Sequence, residues 1–403
     1  MSLINLDANA SYGIIPEVQA ALLESACYLN PSSLHQSGQK ARAVIENARG
    51  AVADLLGIKH GSARVIFTSG ATEANNAAVM TAFWPQLKQP LSASERSKKL
   101  MLHTEIEHAC VLEPATRIKE FGFSVLPFSV NAEGAAVIEA SACEGLEPIL
   151  CSMMLVNNET GQILNVSETF AKLKKDYPNL ICHSDIVQAL AKMPLNYDQL
   201  CADIVTISGH KLGALTGVGA MVVAEHLESQ ALILGGPQEK RFRAGTENVL
   251  GIMSLGIAAK VIQASLAERI KTLQVITNKF ETELLAAIPN AEINNKLLQK
   301  VPGVLNVRFP GVLAQDLLVA LDLQGVLVSA GSACASGKPL PSHVLLALSL
   351  SETAVRESLR LSFRADLSEI EIYRAVKSIS ESVQRMQKNR SISELSAVTC
   401  CNL

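Results

Sequence analysis

Three corners of this sequence carry side chains that could do chemistry together. In "TISGHKLGALTGVGA", Lys211 follows the β-branched residues Val205, Thr206 and Ile207 and precedes Gly213, Gly217 and Gly219. That pattern reads as a strand running into a turn. A lone lysine there is either a solvated charge or an amine placed for covalent chemistry. "FTSGATEANN" sets Gly70, Ala71 and Thr72 between a strand and a helix. Backbone N–H groups and the positive helix end would hold an anion there, with the Thr72 hydroxyl as a further donor, although Ser-Gly is also an ordinary helix start. "ICHSDIVQALAK" ends a strand with His183, Asp185 and Gln188. Asp185 is either a helix cap or a buried carboxylate facing a cationic ring nitrogen. His108, in "HTEIEHACVLEP", is a capping or core histidine, and Asn157 and Asn158, in "MLVNNETGQ", are turn residues.

Taken together, the lysine, the aspartate and the anion corner match the needs of pyridoxal phosphate. The lysine would form the Schiff base, the carboxylate would keep the pyridinium protonated, and the corner would grip the phosphate. A protonated ring accepts the electrons of a carbanion at the α-carbon of a bound amino acid.

Such residues must be delivered by a scaffold of buried strands. "ARVIFTS", "LMLHT", "FSVLPF", "PILCSMMLV", "LICHSD", "DIVTIS" and "GAMVVA" are nearly continuous apolar runs, as strands covered on both faces require. Helical patterns such as "ATEANNAAVMTAF" and "VSETFAKLKKDY" lie between them. The alternation predicts an α/β domain with a mainly parallel sheet, its site at the strand ends. A long helical stretch from "TENVLGIMSL" leads to "VLNVRFP", "GVLVS" and "SLRLSF", the strands of a smaller α+β domain. The expected division is 16–255 for the large domain, with 1–15 and 256–403 in the small one. The polar segment 86–100 reads as a solvated loop, and the tail "SISELSAVTCCNL" has no assignable pattern.

The 403 residues are 48% hydrophobic and 18% charged, enough for a large core and unlike a disordered chain. A net charge of −3 favours neither nucleic acid nor an anionic membrane as partner. No apolar run reads as approaching the roughly 20 residues of a membrane span. The start "MSLINLDANASYG" has no basic segment followed by an apolar one, so no secretory signal is expected. Nine scattered cysteines without metal-ligand spacing fit reduced thiols in a cytoplasm and predict no metal.

The motifs resemble those of the cysteine desulfurases, pyridoxal-phosphate enzymes of the class V aminotransferase type. The likeness runs in order through "LDANAS", "NPSSLHQSGQKAR", "TSGATEANNAAV", "IEHACVLEP", "VNNETGQ", "HSDIVQALAKMPL", "DIVTISGHKLG", "GGPQEKRFRAGTENV", "GSACASGKPLPSHVL" and "SLRLSF". It implies fold type I, with a seven-stranded sheet in the large domain. Lys211 would be the Schiff-base lysine, Asp185 would pair with the pyridinium, and Gln188 and Asn158 would approach the ring hydroxyl. His108 would stack on the ring and relay protons. Ala71, Thr72, Ser208 and His210 would hold the phosphate, and Thr246 would reach the phosphate of the neighbouring subunit, which implies a homodimer.

The resemblance also implies an activity: L-cysteine to L-alanine, with sulfur kept as a persulfide on Cys334 for an acceptor such as an iron–sulfur scaffold protein. Cys334 lies in a loop of small residues and prolines with little to pack against, which favours reactivity. The long stretch before Ser342 resembles the branch whose mobile loop carries sulfur outward. Arg360 would bind the substrate carboxylate through two parallel hydrogen bonds, whereas on pattern alone it is equally a surface arginine on an edge strand. Arg243 would organise the dimer-facing loop. The alternatives are a selenocysteine lyase, another class V aminotransferase, or a relative without activity. Three departures from the family pattern stand out: Ala8 for asparagine, "ALTG" at 214–217 for Gly-Pro-Lys-Gly, and Arg364 for glycine.

Overall fold

Five of the expected strands lie parallel and side by side: Ser124–Val130, Lys99–Thr104, Glu147–Ser152, Ile181–Asp185 and Ile204–Ser208, in that order. Gly219–Ala224 then runs antiparallel between Ile204–Ser208 and Ala63–Thr68. The ends Thr104, Ser152, Asp185 and Ser208 therefore lie along one edge of the sheet, with Thr68 beside them. This computed structural model describes residues 3–24, 29–228, 230–331 and 341–400, excluding the side chains of 140 and 390–400.

The sheet has eight strands where seven were expected. The eighth, Ala136–Val137, pairs antiparallel with Ser124–Val130. Its turn is closed by Asn131, whose N–H donates to the Ala135 carbonyl at 3.0 Å and whose Oδ1 accepts from the Ala135 N–H at 2.8 Å. Two residues are too few for hydrophobic alternation to register in the sequence.

The chain divides into two compact units. The larger, Ser11–Asn157 with Ile163–Ala267, contains the eight-stranded sheet. The helix Ala71–Lys88 buries Val79, Ala82 and Phe83 against Met101 and Leu150, while its Ala74, Ala77 and Ala78 meet Ile66, Ile204 and Met221. Small residues on that face let the helix lie close to the strands. The Phe83 and Phe123 rings meet edge-on at 5.0 Å.

The smaller unit, Met1–Ala10, Asn158–Gln162 and Glu268–Leu403, holds an antiparallel sheet of Glu292–Ile293, Val304–Arg308 and Ser358–Ser362. Ile4–Asn5 pairs in parallel with Val326–Leu327. Phe280, Leu305, Leu317, Leu361 and Ile379 belong to one continuous core.

Three further expectations change. The helix Ala71–Lys88 enters the segment expected as a loop, and a short helix, Ala93–Arg96, follows it, started by a Ser92–Glu95 capping box that the polar composition concealed. Residues 391–400 of the unassigned tail lie within the helix Glu369–Cys400. The helix Val249–Ala287 contains a stretch of mean hydropathy 1.7, long and apolar enough to cross a membrane by length and composition. Its Ile252, Leu255, Ala258, Ala259 and Ile262 are nevertheless buried, as in a core helix.

Candidate active site

Neighbouring strands bring the anion corner beside the lysine turn. Gly219 is the register partner of both Thr68 and Ser208, so Ser69–Ala71 and Gly209–Lys211 leave the sheet as neighbours. Only glycine permits this approach: a Cβ on Gly219 would lie 2.7 Å from Gly70 Cα and 2.5 Å from the Ile207 carbonyl oxygen. Lys211 ends a short turn in which the Gly209 carbonyl accepts from Leu212 at 2.9 Å and from Ala214 at 3.1 Å. The divergent "ALTG" stretch keeps this turn closed, because Leu215 N donates to Ser254 Oγ at 3.0 Å and Asn248 donates to the Gly217 carbonyl at 3.1 Å. Ser208 Oγ lies 3.0 Å from His210 Nδ1. Burial, then the Lys211 charge, pushes His210 down to about 4, so it is a neutral donor and acceptor at neutral pH.

An acid beside the expected anion corner calls for compensation, and Glu73 has it. Arg243 Nε donates to its carboxylate at 3.0 Å and the Ser69 N–H at 2.8 Å. Burial opposes ionisation, but the bonds from Arg243 and Ser69 outweigh it and hold Glu73 below the usual range. The loop that supplies Arg243 is itself anchored. Arg49 grips Glu239 through two bonds of 2.8 and 2.9 Å, and Glu239 also accepts from Phe67 N at 3.0 Å. Glu239, Lys240 and Arg241 follow one another with φ of 46°, 55° and 73°, a left-handed run that needs such a clamp. Thr246 lies exposed a few residues further on.

Asp185 is buried, and its Oδ1 accepts from Val187 N at 3.0 Å. Its Oδ2 accepts from Asn75 Nδ2 at 2.8 Å. The same nitrogen lies 2.8 Å from Cys110 Sγ, which is 3.0 Å from His108 Nδ1. His108 caps the helix Ala109–Glu120, its Nδ1 accepting the Cys110 N–H at 3.2 Å. Asp185 and His108 thus belong to one hydrogen-bonded group. Gln188 is buried and accepts from Lys192 Nζ at 2.7 Å.

Glu107, next to His108, is fully buried, and its Oε1 accepts from Thr104 Oγ1 and Met154 N, both at 2.7 Å. Burial pushes it up to about 8, with the Asp185 charge adding to the rise. At neutral pH Glu107 is therefore a neutral acid within reach of the Asp185 charge. The sequence reading passed over Asn75, Glu107 and Glu73. The signals were a Glu-His pair at a strand end and acidic and amide residues on the first turns of a helix after an anion corner.

In the smaller unit, Arg360 is 4% exposed, which overturns the reading of a surface arginine. Its Nη2 pairs with Asp7 Oδ1 at 2.6 Å and Nη1 donates to the Asn158 carbonyl at 3.3 Å. Its Nε is buried without a hydrogen-bond partner among the described residues. Asn158 is brought to Arg360 through its backbone, and Asn9 Nδ2 donates to the same carbonyl at 2.9 Å. Cys334 lies outside the described residues. Cys110, Cys143, Cys151 and Cys182 are buried thiols, each raised first by burial.

Residues 4–374 match the Aminotransferase class-V family. A cysteine desulfurase from Trichormus azollae is 36% identical over 390 residues, covering 96% of this chain and 94% of the relative. The cysteine desulfurase NifS of Azotobacter vinelandii is 30% identical over the same coverage of 96% and 94%. A solved NifS-like protein superposes with a TM-score of 0.82 at 27% identity, over 95% of this chain and 99% of that one. SspA in complex with cysteine superposes with a TM-score of 0.74 at 27% identity, over 90% and 99%.

Proposed function

The chain belongs to the class V aminotransferase family and within it to the cysteine desulfurases, and from that premise we propose how its own residues carry out desulfuration of L-cysteine to L-alanine. Members of this family depend on pyridoxal phosphate. The residues present suit that group. A buried carboxylate is held by neutral donors, a glycine crossing opens backbone N–H groups at a helix start, and a lysine sits on the adjoining turn.

Lys211 would carry the cofactor covalently, Asp185 would hold its ring nitrogen, and Gln188 and Asn158 would approach its hydroxyl. Ala71, Thr72, Ser208 and His210 would take its phosphate, joined by Thr246 of a second subunit in a homodimer. When bound, the cofactor supplies an electron sink for the α-carbon of the amino acid. The observation that carries the reading is the joining of Asp185 and His108 through Asn75 and Cys110, which gives one face and one edge of a ring site fixed positions.

Arg360 would orient the substrate through its carboxylate, and the buried Nε, without a partner among the described residues, suits such a ligand. With Nδ1 accepting from Cys110, His108 would carry its proton on Nε2. Lys211 and His108 would exchange protons with the substrate. The Cys334 thiolate would form a sulfur–sulfur bond as the substrate carbon–sulfur bond breaks. The electron pair stays with the carbon skeleton, which leaves as alanine after protonation. The persulfide would then pass to an acceptor such as an iron–sulfur scaffold protein, in a cytoplasm where thiols stay reduced. Borohydride reduction of the loaded protein followed by peptide mapping tests the site. The expected adduct is on Lys211, with neither adduct nor alanine from Lys211→Ala; an adduct on another lysine refutes the assignment.

A further inference from the structure

We infer that Asn75, oriented by Thr206, is the positioning residue that aims Asp185 at the cofactor ring. The inference rests on the proposed seat of Asp185 at the ring nitrogen. Asn75 is fully buried on the helix Ala71–Lys88, and every polar hydrogen of its amide has a partner. Nδ2 donates to Asp185 Oδ2 and to Cys110 Sγ, each at 2.8 Å, while Oδ1 accepts from Thr206 Oγ1 at 2.6 Å. Thr206 is the register partner of Asp185 on the adjacent strand. The reverse amide orientation would set a carbonyl oxygen against a carboxylate oxygen, with no hydrogen between them.

The choice of an amide has a physical reason. A lysine or arginine would hold Asp185 more strongly, but its positive charge would oppose a cationic ring nitrogen held by the same carboxylate. Asn75 fixes the carboxylate and adds no charge. Val187 N fixes the other oxygen at 3.0 Å, so the carboxylate plane cannot turn. The second Nδ2 hydrogen extends the same brace to Cys110 and from there to His108 Nδ1, at 3.0 Å from the thiol sulfur. Burial pushes that thiol up to about 12, so it stays protonated, able to donate to the imidazole and accept from the amide. One side chain thereby sets the relative positions of the ring-nitrogen partner and the histidine.

Thr206→Val, which keeps the shape and removes only the hydroxyl, and Asn75→Ala test this in the pyridoxal-phosphate-loaded enzyme. Three quantities are measured: the pH midpoint of the visible absorbance without substrate, kcat and KM for L-cysteine, and the melting temperature. Thr206→Val should keep KM and melting close to wild type, move the pH midpoint by about half a unit, and lower kcat about tenfold, as loss of support for a charged group implies. Asn75→Ala should move the pH midpoint and lower kcat more strongly, with some loss of melting temperature from the buried partners it leaves. An unmoved pH midpoint in both variants overturns the inference even where activity falls, because a structural role alone lowers activity and melting together. Wild-type protein that takes up no pyridoxal phosphate overturns the cofactor reading itself, so the two failures are distinguishable.

Discussion

Replacing Glu107 by glutamine keeps the shape of the side chain and removes only its capacity to ionise. The carboxyl is fully buried and pushed from 4.5 up to about 8, chiefly by burial. Because the folded value is the higher one, the stability linked to this proton is fully present below the unfolded value. It is lost as pH rises toward the folded one, and the loss levels off above it. A gap of roughly 3.5 units corresponds to about 5 kcal/mol. Glutamine carries no such proton, and its carbonyl can still accept from Thr104 and Met154. The variant's advantage in melting temperature should therefore grow between pH 5 and 8, reaching about 10 °C for a unit of this size, and then stay constant. Thermal melts of both proteins from pH 5 to 9 read this directly. Parallel melting curves across that range would refute the neutral-acid reasoning, because an ionised and favourably paired Glu107 would complete its titration below pH 5.

Two further substitutions follow from the ion pairs. Arg243→Gln leaves Glu73 uncompensated beside the anion corner and should weaken retention of pyridoxal phosphate about tenfold, measured by absorbance during dialysis; unchanged retention would show that the pair matters only to the loop. Arg360→Lys keeps charge but loses the planar fork, and charge-assisted bonds of this kind are worth about 1.5–3 kcal/mol each. KM for cysteine should rise at least about tenfold with cofactor absorbance unaltered, and unchanged kinetics would remove Arg360 from the substrate site.

The central strands of the large sheet were readable because they are apolar runs buried on both faces, a pattern that survives without tertiary information. Ala136–Val137 was not, because a two-residue edge strand is defined by its turn and its partner alone. Lys211, Asp185 and the Gly70–Thr72 corner stood out because a charged or glycine-bearing residue interrupts an apolar run just where a strand ends. Asn75 and Glu107 interrupt no apolar run, and their signals are weaker. An asparagine one turn into a helix looks like a solvated residue, and its burial follows from the register that brings Thr206 opposite Asp185. Arg360 looked superficial because its strand lies at the edge of a three-stranded sheet, yet Asp7 from the chain start and the Asn158 carbonyl cover its guanidinium. Covering by segments so distant in sequence leaves no local signal.

The division of labour between the cofactor site and the sulfur-carrying thiol is tested most directly by the product balance of Cys334→Ser. Purified wild-type and variant proteins, loaded with pyridoxal phosphate, are given L-cysteine with and without dithiothreitol, and alanine, sulfide and protein-bound persulfide are measured. Wild-type protein should form alanine that depends on the reductant for turnover and carry a persulfide on Cys334. The variant should change its visible spectrum on binding cysteine yet yield neither alanine nor persulfide. Alanine at wild-type levels from Cys334→Ser would contradict persulfide transfer through this residue.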